Sequence, residues 1–219
     1  MYRVHAVIFD IDGTLVDSND VDGRCYKEAL IEELGPVQFR EDWSRYPHVT
    51  DQGCLIDVLK DNEIVYSPSL VERVKGRFFA KIRAHARERG FHAMEGAVDF
   101  FQTLRNSPSF RLALATGAWR KSALIKLASA SIEHAGVPLF ASDDHHSRVE
   151  VMRLAHDALG NGLDGVTYYG DAPWDGLAVA ALGWHFEAVG PSLNGLTSYD
   201  GELDRLTRRC RQVPEISHR

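Results

Sequence analysis

The stretch IFDIDGTL, residues 8–15, decides how this chain is read. It closes an apolar, β-branched run from Val4 to Phe9, the kind that forms a strand buried on both faces of a parallel sheet. Asp10 and Asp12 stand at the carboxyl end of that strand, and Gly13 permits the tight turn that follows. Ligands of α/β sheets bind at that edge. Residues two apart on a strand point the same way, so both carboxylates can face one pocket unless the turn at Gly13 re-aims the second. Adjacent carboxylates repel. Holding both ionised calls for a cation, most economically a hard divalent ion such as Mg2+. The bland alternative is an acidic turn, favoured for backbone reasons alone. The buried-type strand before it and the Thr, Leu and Val after it carry FDIDGTLVDS, residues 9–18, far from turn composition.

Outward from this segment, comparable strand-like runs recur at Arg111 to Ala115, Val137 to Ala141, Val166 to Tyr169 and His185 to Val189. Amphipathic stretches such as Arg120 to Ile132 and Arg148 to Leu159 separate them, which is the alternation of βαβ units. The region from about Asp20 to Arg89 breaks that rhythm. It is rich in Glu, Lys, Arg and Leu and reads as a helical insert, with Val71, Val74, Phe78 and Ile82 on one face of an amphipathic helix. The last ten residues, ending PEISHR, read as a fraying tail.

Two further segments place chemistry at predicted strand ends. LALATGAW, residues 112–119, delivers Thr116 and Gly117 at a strand-to-helix turn, where a hydroxyl and free backbone N–H groups form an anion seat; a plain helix cap is the competing role. VTYYGDAPWDGLAVAALG, residues 166–183, delivers Asp171, which can complete a magnesium site. Asp175 follows, suited to reaching a metal through water or to capping the next helix.

These three segments, in this order, resemble the haloacid dehalogenase superfamily of aspartate-nucleophile hydrolases, over both core and insert. The resemblance implies an α/β fold with a Rossmann-like parallel sheet core in residues 1–17 and 90–219, and an α-helical cap domain in residues 18–89 that closes over the site. It implies Asp10 as nucleophile and Asp12 as general acid/base. Thr116 and Gly117 would bind phosphate, Mg2+ would be held by Asp10, Asp12 and Asp171, and Asp175 would act through water. The family's third motif is a lysine within a segment like S-K-P-x-P; here SDDHHSRVEVM, residues 142–152, puts Arg148 in its register. Arginine carries the same charge and holds phosphate in a bidentate fork. Lys121 or Lys126 is the alternative source of that charge.

The resemblance therefore implies a Mg2+-dependent phosphatase acting on a small phosphorylated metabolite. Asp12 separates this branch from the dehalogenases, which lack the second aspartate. A β-phosphoglucomutase-like phosphotransferase shares the same residues, and a catalytically weak binding or regulatory relative is the reading from another class. In the insert, PHVTDQG, residues 47–53, reads either as a substrate-facing loop or as a helix start capped by Thr50 or Asp51. The Asp143–His146 run reads as a polar loop rather than a metal site, and Trp119 and Trp174, which directly follow two of the motifs, read either as packing residues or as residues lining the pocket.

Composition narrows the partners. Asp and Glu number 31 against 25 Lys and Arg, a formal charge of −6 with no basic stripe, which disfavours nucleic acid. No run approaches the roughly 18 apolar residues of a membrane span. Three scattered cysteines, Cys25, Cys54 and Cys210, argue against a disulfide framework and suit a reducing cytoplasm. A monomer or homodimer is expected.

Overall fold

Strand β1 (His5–Phe9) sends Val7 and Phe9 into one apolar cluster and Ala6 and Ile8 into another, and all four are fully shielded from water. A strand buried on both faces needs helices on both sides. The computed structural model, which describes residues 4–212, supplies them. The main sheet has five parallel strands in the order β5-β4-β1-β6-β7, with β4 at Phe110–Ala115, β5 at Leu139–Phe140, β6 at Val166–Gly170 and β7 at His185–Ala188.

On the Val7 and Phe9 side lie α4 (Ala97–Arg105), α5 (Arg120–Ser129) and α8 (Glu202–Gln212), contributing Phe101, Leu127 and Leu206. On the Ala6 and Ile8 side lie α6 (Arg148–Asp157) and α7 (Pro173–Leu182), contributing Met152 and Val179. Phe9 stacks on Tyr169 with ring centroids 4.9 Å apart, and each such side chain removed from water contributes roughly 1.5–3 kcal/mol.

β1 sits where the chain order reverses, with β4 on one side and β6 on the other. Register sets Phe9 opposite both Leu114 and Tyr169. The residues just beyond these strands, Asp10, Thr116 and Asp171, therefore emerge at one edge, the crevice where open α/β sheets bind ligands.

Between β1 and β4 the chain leaves through β2 (Val16–Asp17) and returns through β3 (His92–Ala93). These two pair antiparallel, Val16 opposite Ala93. The segment so tied off holds three α-helices, α1 (Asn19–Leu34), α2 (Asp51–Asp61) and α3 (Pro68–Glu88). α3 starts on a Ser67 cap with Pro68 in its first turn, where the missing N–H costs nothing. Its Val71, Val74, Phe78 and Ile82 are buried, while Lys81 pairs with Glu28 and Glu32 of α1 and Arg73 and Arg77 pair with Glu33.

Three expectations change. The strand expected over 137–141 shortens to Leu139–Phe140, because it lies at the sheet edge and pairs only with β4. The helix expected over 120–132 ends at Ser129. Of the tail, Cys210 to Gln212 belong to α8, and residues 213–219 lie outside the described residues. No helix among the described residues is long and apolar enough to cross a membrane.

Candidate active site

At the carboxyl edge of the sheet a cavity of about 350 Å³ lies between the strand ends and the helical segment. Asp10, Asp12, Thr116, Gly117, Arg148 and Asp171 all front it. Asp175 does not; it is fully buried behind Arg148.

Asp10, 3% exposed, has one carboxylate oxygen 3.5 Å from Arg148 Nη1 and the other, Oδ1, without a hydrogen-bond partner. Burial pushes its carboxyl up to about 7, against the pull of Arg148. Asp171, also pushed up to about 7 by burial and by Asp10, accepts from Asn19 Nδ2 at 2.6 Å. Carboxylate oxygens of Asp10, Asp171 and Asp175 lie within 4.8 Å of one another. Three carboxyls crowded this closely, one with a buried unpartnered oxygen, form an all-oxygen donor set that fits a hard divalent cation such as Mg2+.

Gly13 makes this crowding possible. Its φ is +69°, and a Cβ there would fall 2.2 Å from both Asn19 Nδ2 and Asp171 Oδ2. Gly117 gives the same latitude above the site, since a Cβ would sit 2.5 Å from Arg148 Nη2 and 2.9 Å from the Val49 carbonyl.

Arg148 occupies the first position of α6 and spans the site. Its Nη1 donates to Asp175 Oδ1, and its Nε and Nη2 donate to the Val49 carbonyl of the helical segment at 3.3 and 3.1 Å. Of the alternatives for this charge, Lys121 lies over the Phe79 ring and Lys126 turns to Asp12, so neither takes the place beside Asp10. Asp175 takes the capping role weighed for it and adds a contact to Arg148. Its Oδ2 accepts from the Ala172 N–H at the start of α7, while its other oxygen holds Arg148. Thr116 Oγ1 accepts from the Ala118 N–H at 3.1 Å, which leaves its hydroxyl proton available to the cavity.

Asp12 is fixed differently from Asp10. Its Oδ1 accepts from Ser18 Oγ at 2.5 Å and from Lys126 Nζ at 2.6 Å, and Lys126, wholly buried, also pairs with Asp22 of α1. Sequence reasoning missed Ser18, Asn19 and Asp22, and named Lys126 only as an alternative charge for the phosphate. A usable signal existed for Lys126, which falls on the buried face of α5 with Ser122, Ala123 and Leu127, where an unpaired lysine is almost never found.

The PHVTDQG turn is a capped helix start whose Val49, Thr50 and Asp51 also front the cavity. Thr50 caps α2 by accepting from the Gly53 N–H and donates to the His146 carbonyl at 2.7 Å. Asp51 accepts from the Trp119 N–H at 2.7 Å, while its own N–H donates to the Gly117 carbonyl at 2.8 Å. Trp119 is fully buried among Tyr26, Phe78 and Phe79, so it is a packing residue that joins the sheet layer to the helical segment. In the Asp143–His146 loop, Asp143 binds Lys75 and the Arg120 N–H, and Asp144 pairs with the Arg120 guanidinium; it is a polar brace between elements.

The family model described as haloacid dehalogenase-like hydrolase matches residues 7–189 of the chain. No curated protein matches it significantly. Among solved structures, a hydrolase from Pseudomonas syringae superposes with a TM-score of 0.68 at 22% identity, over 84% of each chain. CbbY from Rhodobacter sphaeroides in complex with phosphate gives 0.64 at 18% identity, over 89% of this chain and 88% of that one. A second CbbY structure, of a mutant, is in complex with xylulose-(1,5)bisphosphate. A family hydrolase from Deinococcus radiodurans, with bound phosphate and sodium, gives 0.52 at 20% identity, over 94% and 89%.

Proposed function

The chain belongs to the haloacid dehalogenase-like hydrolase family, and from that premise we propose that it is a Mg2+-dependent phosphatase that cleaves a small phosphate monoester through an aspartyl-phosphate on Asp10. The observation that carries this reading is the buried, unpartnered Asp10 Oδ1 fronting a cavity beside Asp171 and Arg148. Phosphate found in the CbbY and Deinococcus radiodurans structures supports the substrate class.

Phosphate monoesters hydrolyse slowly because their anionic oxygens repel an attacking nucleophile, so the site must neutralise charge and align the attack. Arg148, the Thr116 hydroxyl and the Gly117 amide would grip the phosphoryl oxygens. Asp10 Oδ1 attacks phosphorus in line, the bond to the ester oxygen breaks, and protonated Asp12 gives its proton to the leaving alcohol. Water then attacks the phosphoryl group while Asp12, now a carboxylate, takes its proton. The bond from phosphorus to Asp10 breaks, releasing inorganic phosphate. Bound Mg2+ would supply positive charge against the repulsion between phosphoryl oxygens and carboxylate, held by Asp10, Asp171 and the Asp12 carbonyl, with Asp175 acting through water.

Residues 18–89 would serve as the cap over a core of residues 1–17 and 90–219. The Arg148 contact to Val49 and the Asp51 contact to Trp119 support a closed arrangement that keeps bulk water from the acyl phosphate. The test is turnover of p-nitrophenyl phosphate with Mg2+. Asp10→Asn should abolish it, and Arg148→Ala should lower kcat/KM by about a hundredfold or more. Wild-type rates in Asp10→Asn, or no turnover across a broad phosphate-ester panel, would overturn the reading.

A further inference from the structure

The helical segment gives the cavity an acidic wall with no cation among its lining residues. Asp20, Asp22 and Asp51 form it, with Asp12 on the border. Lys126 is wholly buried, does not front the cavity, and pairs with Asp12 and Asp22. Arg148 stands between Asp175, Asp10 and the Val49 carbonyl, where the phosphatase reading gives its charge to the transferring phosphoryl group. Among the described residues, no Lys or Arg pairs with Asp20 or Asp51, and no Lys, Arg or His of the helical segment lines the cavity. The carboxyls of Asp22 and Asp51 are both pushed upward, first by burial, then Asp22 by Asp12 and Asp51 by Asp22, and that of Asp22 reaches about 6.

Acidic residues alone do not make a ligand site. Here they front the same cavity as Asp10 Oδ1, a buried oxygen without a partner, and the space of about 350 Å³ suits a phosphoryl group plus a short alcohol. The rings of Tyr26 and Trp43, 5.9 Å apart, front it too. Aromatic faces attract an ammonium, as that of Trp43 already does for Lys27 Nζ, 5.0 Å from the ring centroid.

Resting on the phosphatase reading above, we propose that this chamber selects a phosphate monoester whose alcohol part bears an ammonium group and no second anion, through Asp20, Asp22 and Asp51. A second phosphate or a carboxylate on the leaving group would meet the Asp20, Asp22 and Asp51 carboxyls with no free cation to receive it, so it is rejected by repulsion. An ammonium in the same place would answer the carboxyls that Lys126 leaves uncompensated. This sets the chain apart from CbbY, the neighbour that holds a bisphosphate.

The experiment compares kcat/KM, with Mg2+, for O-phosphoethanolamine and phosphoglycolate, using p-nitrophenyl phosphate as a substrate whose tail carries no ionised group. The ratio of ethanolamine to glycolate ester should be about tenfold or more, and one above about threefold still supports selection. Asp20→Lys, at an exposed position where folding is not at stake, should cut that ratio by about threefold or more, chiefly through KM. Asp51→Asn should act in the same direction. Turnover of p-nitrophenyl phosphate with a ratio below threefold, or a ratio unmoved by Asp20→Lys, overturns this inference alone. No turnover of any ester overturns it together with the phosphatase reading.

Discussion

Replacing Asp10 with Asn should stabilise the metal-free protein while abolishing turnover. The Asp10 carboxyl stands at about 7 in the fold against an ordinary 3.8, chiefly because it is buried. Between those values the folded chain keeps a proton that the unfolded chain releases, so this group's contribution to stability falls as pH rises from about 4 to 7 and then levels off. At pH 8 the penalty for the ionised form is about 4 kcal/mol at most. Asn has the same shape, carries no charge, and can donate to the neighbouring carboxylates. It gives up only the 3.5 Å contact with Arg148, worth about 1 kcal/mol. A net gain of about 3 kcal/mol at pH 8 remains, or roughly 6–12 °C in Tm for a chain of this size. The assay is chemical or thermal unfolding of both proteins in a chelator at pH 8 and pH 5. At pH 5 most of the wild-type Asp10 is already protonated in the fold, and the gain should drop below half. An Asn variant no more stable than wild type at pH 8, or equally favoured at both pH values, would refute the assignment of Asp10 as a buried carboxyl held at an energetic cost for chemistry.

The same crowding predicts that Mg2+ raises Tm at pH 8, because a cation that binds only the folded chain stabilises it. Asp171→Asn should lose most of that rise, and an equal rise in the variant would remove Asp171 from the metal site. Gly13→Ala should destabilise by about 1–3 kcal/mol, since it forces a side chain into a left-handed φ and against Asn19 and Asp171; a wild-type unfolding midpoint with wild-type turnover counts against the geometry. Lys126→Met should cost about 3–5 kcal/mol by leaving Asp12 and Asp22 buried without their cation. Adding Asp22→Asn should recover part of that loss, and purely additive effects in the double variant would mean the pair is not coupled.

The sequence alone determined the sheet and its active edge. A β-branched run ending in Asp10, and similar runs ending near Thr116 and Asp171, are local patterns, and a parallel sheet aligns such ends without further information. Local periodicity also marked the buried face of α3, because side chains repeat along a helix whatever it packs against. Strands β2 and β3 were illegible, since two residues each carry no periodicity and their pairing joins positions far apart in the chain. Only the tertiary structure decided which cation serves which carboxylate. Arg148 reaches Asp10 and Asp175, and Lys126 reaches Asp12 and Asp22, across sequence separations of 27 to 138 residues. Charge pairing in a buried site depends on distances of a few ångströms between elements, and no spacing within one element encodes them.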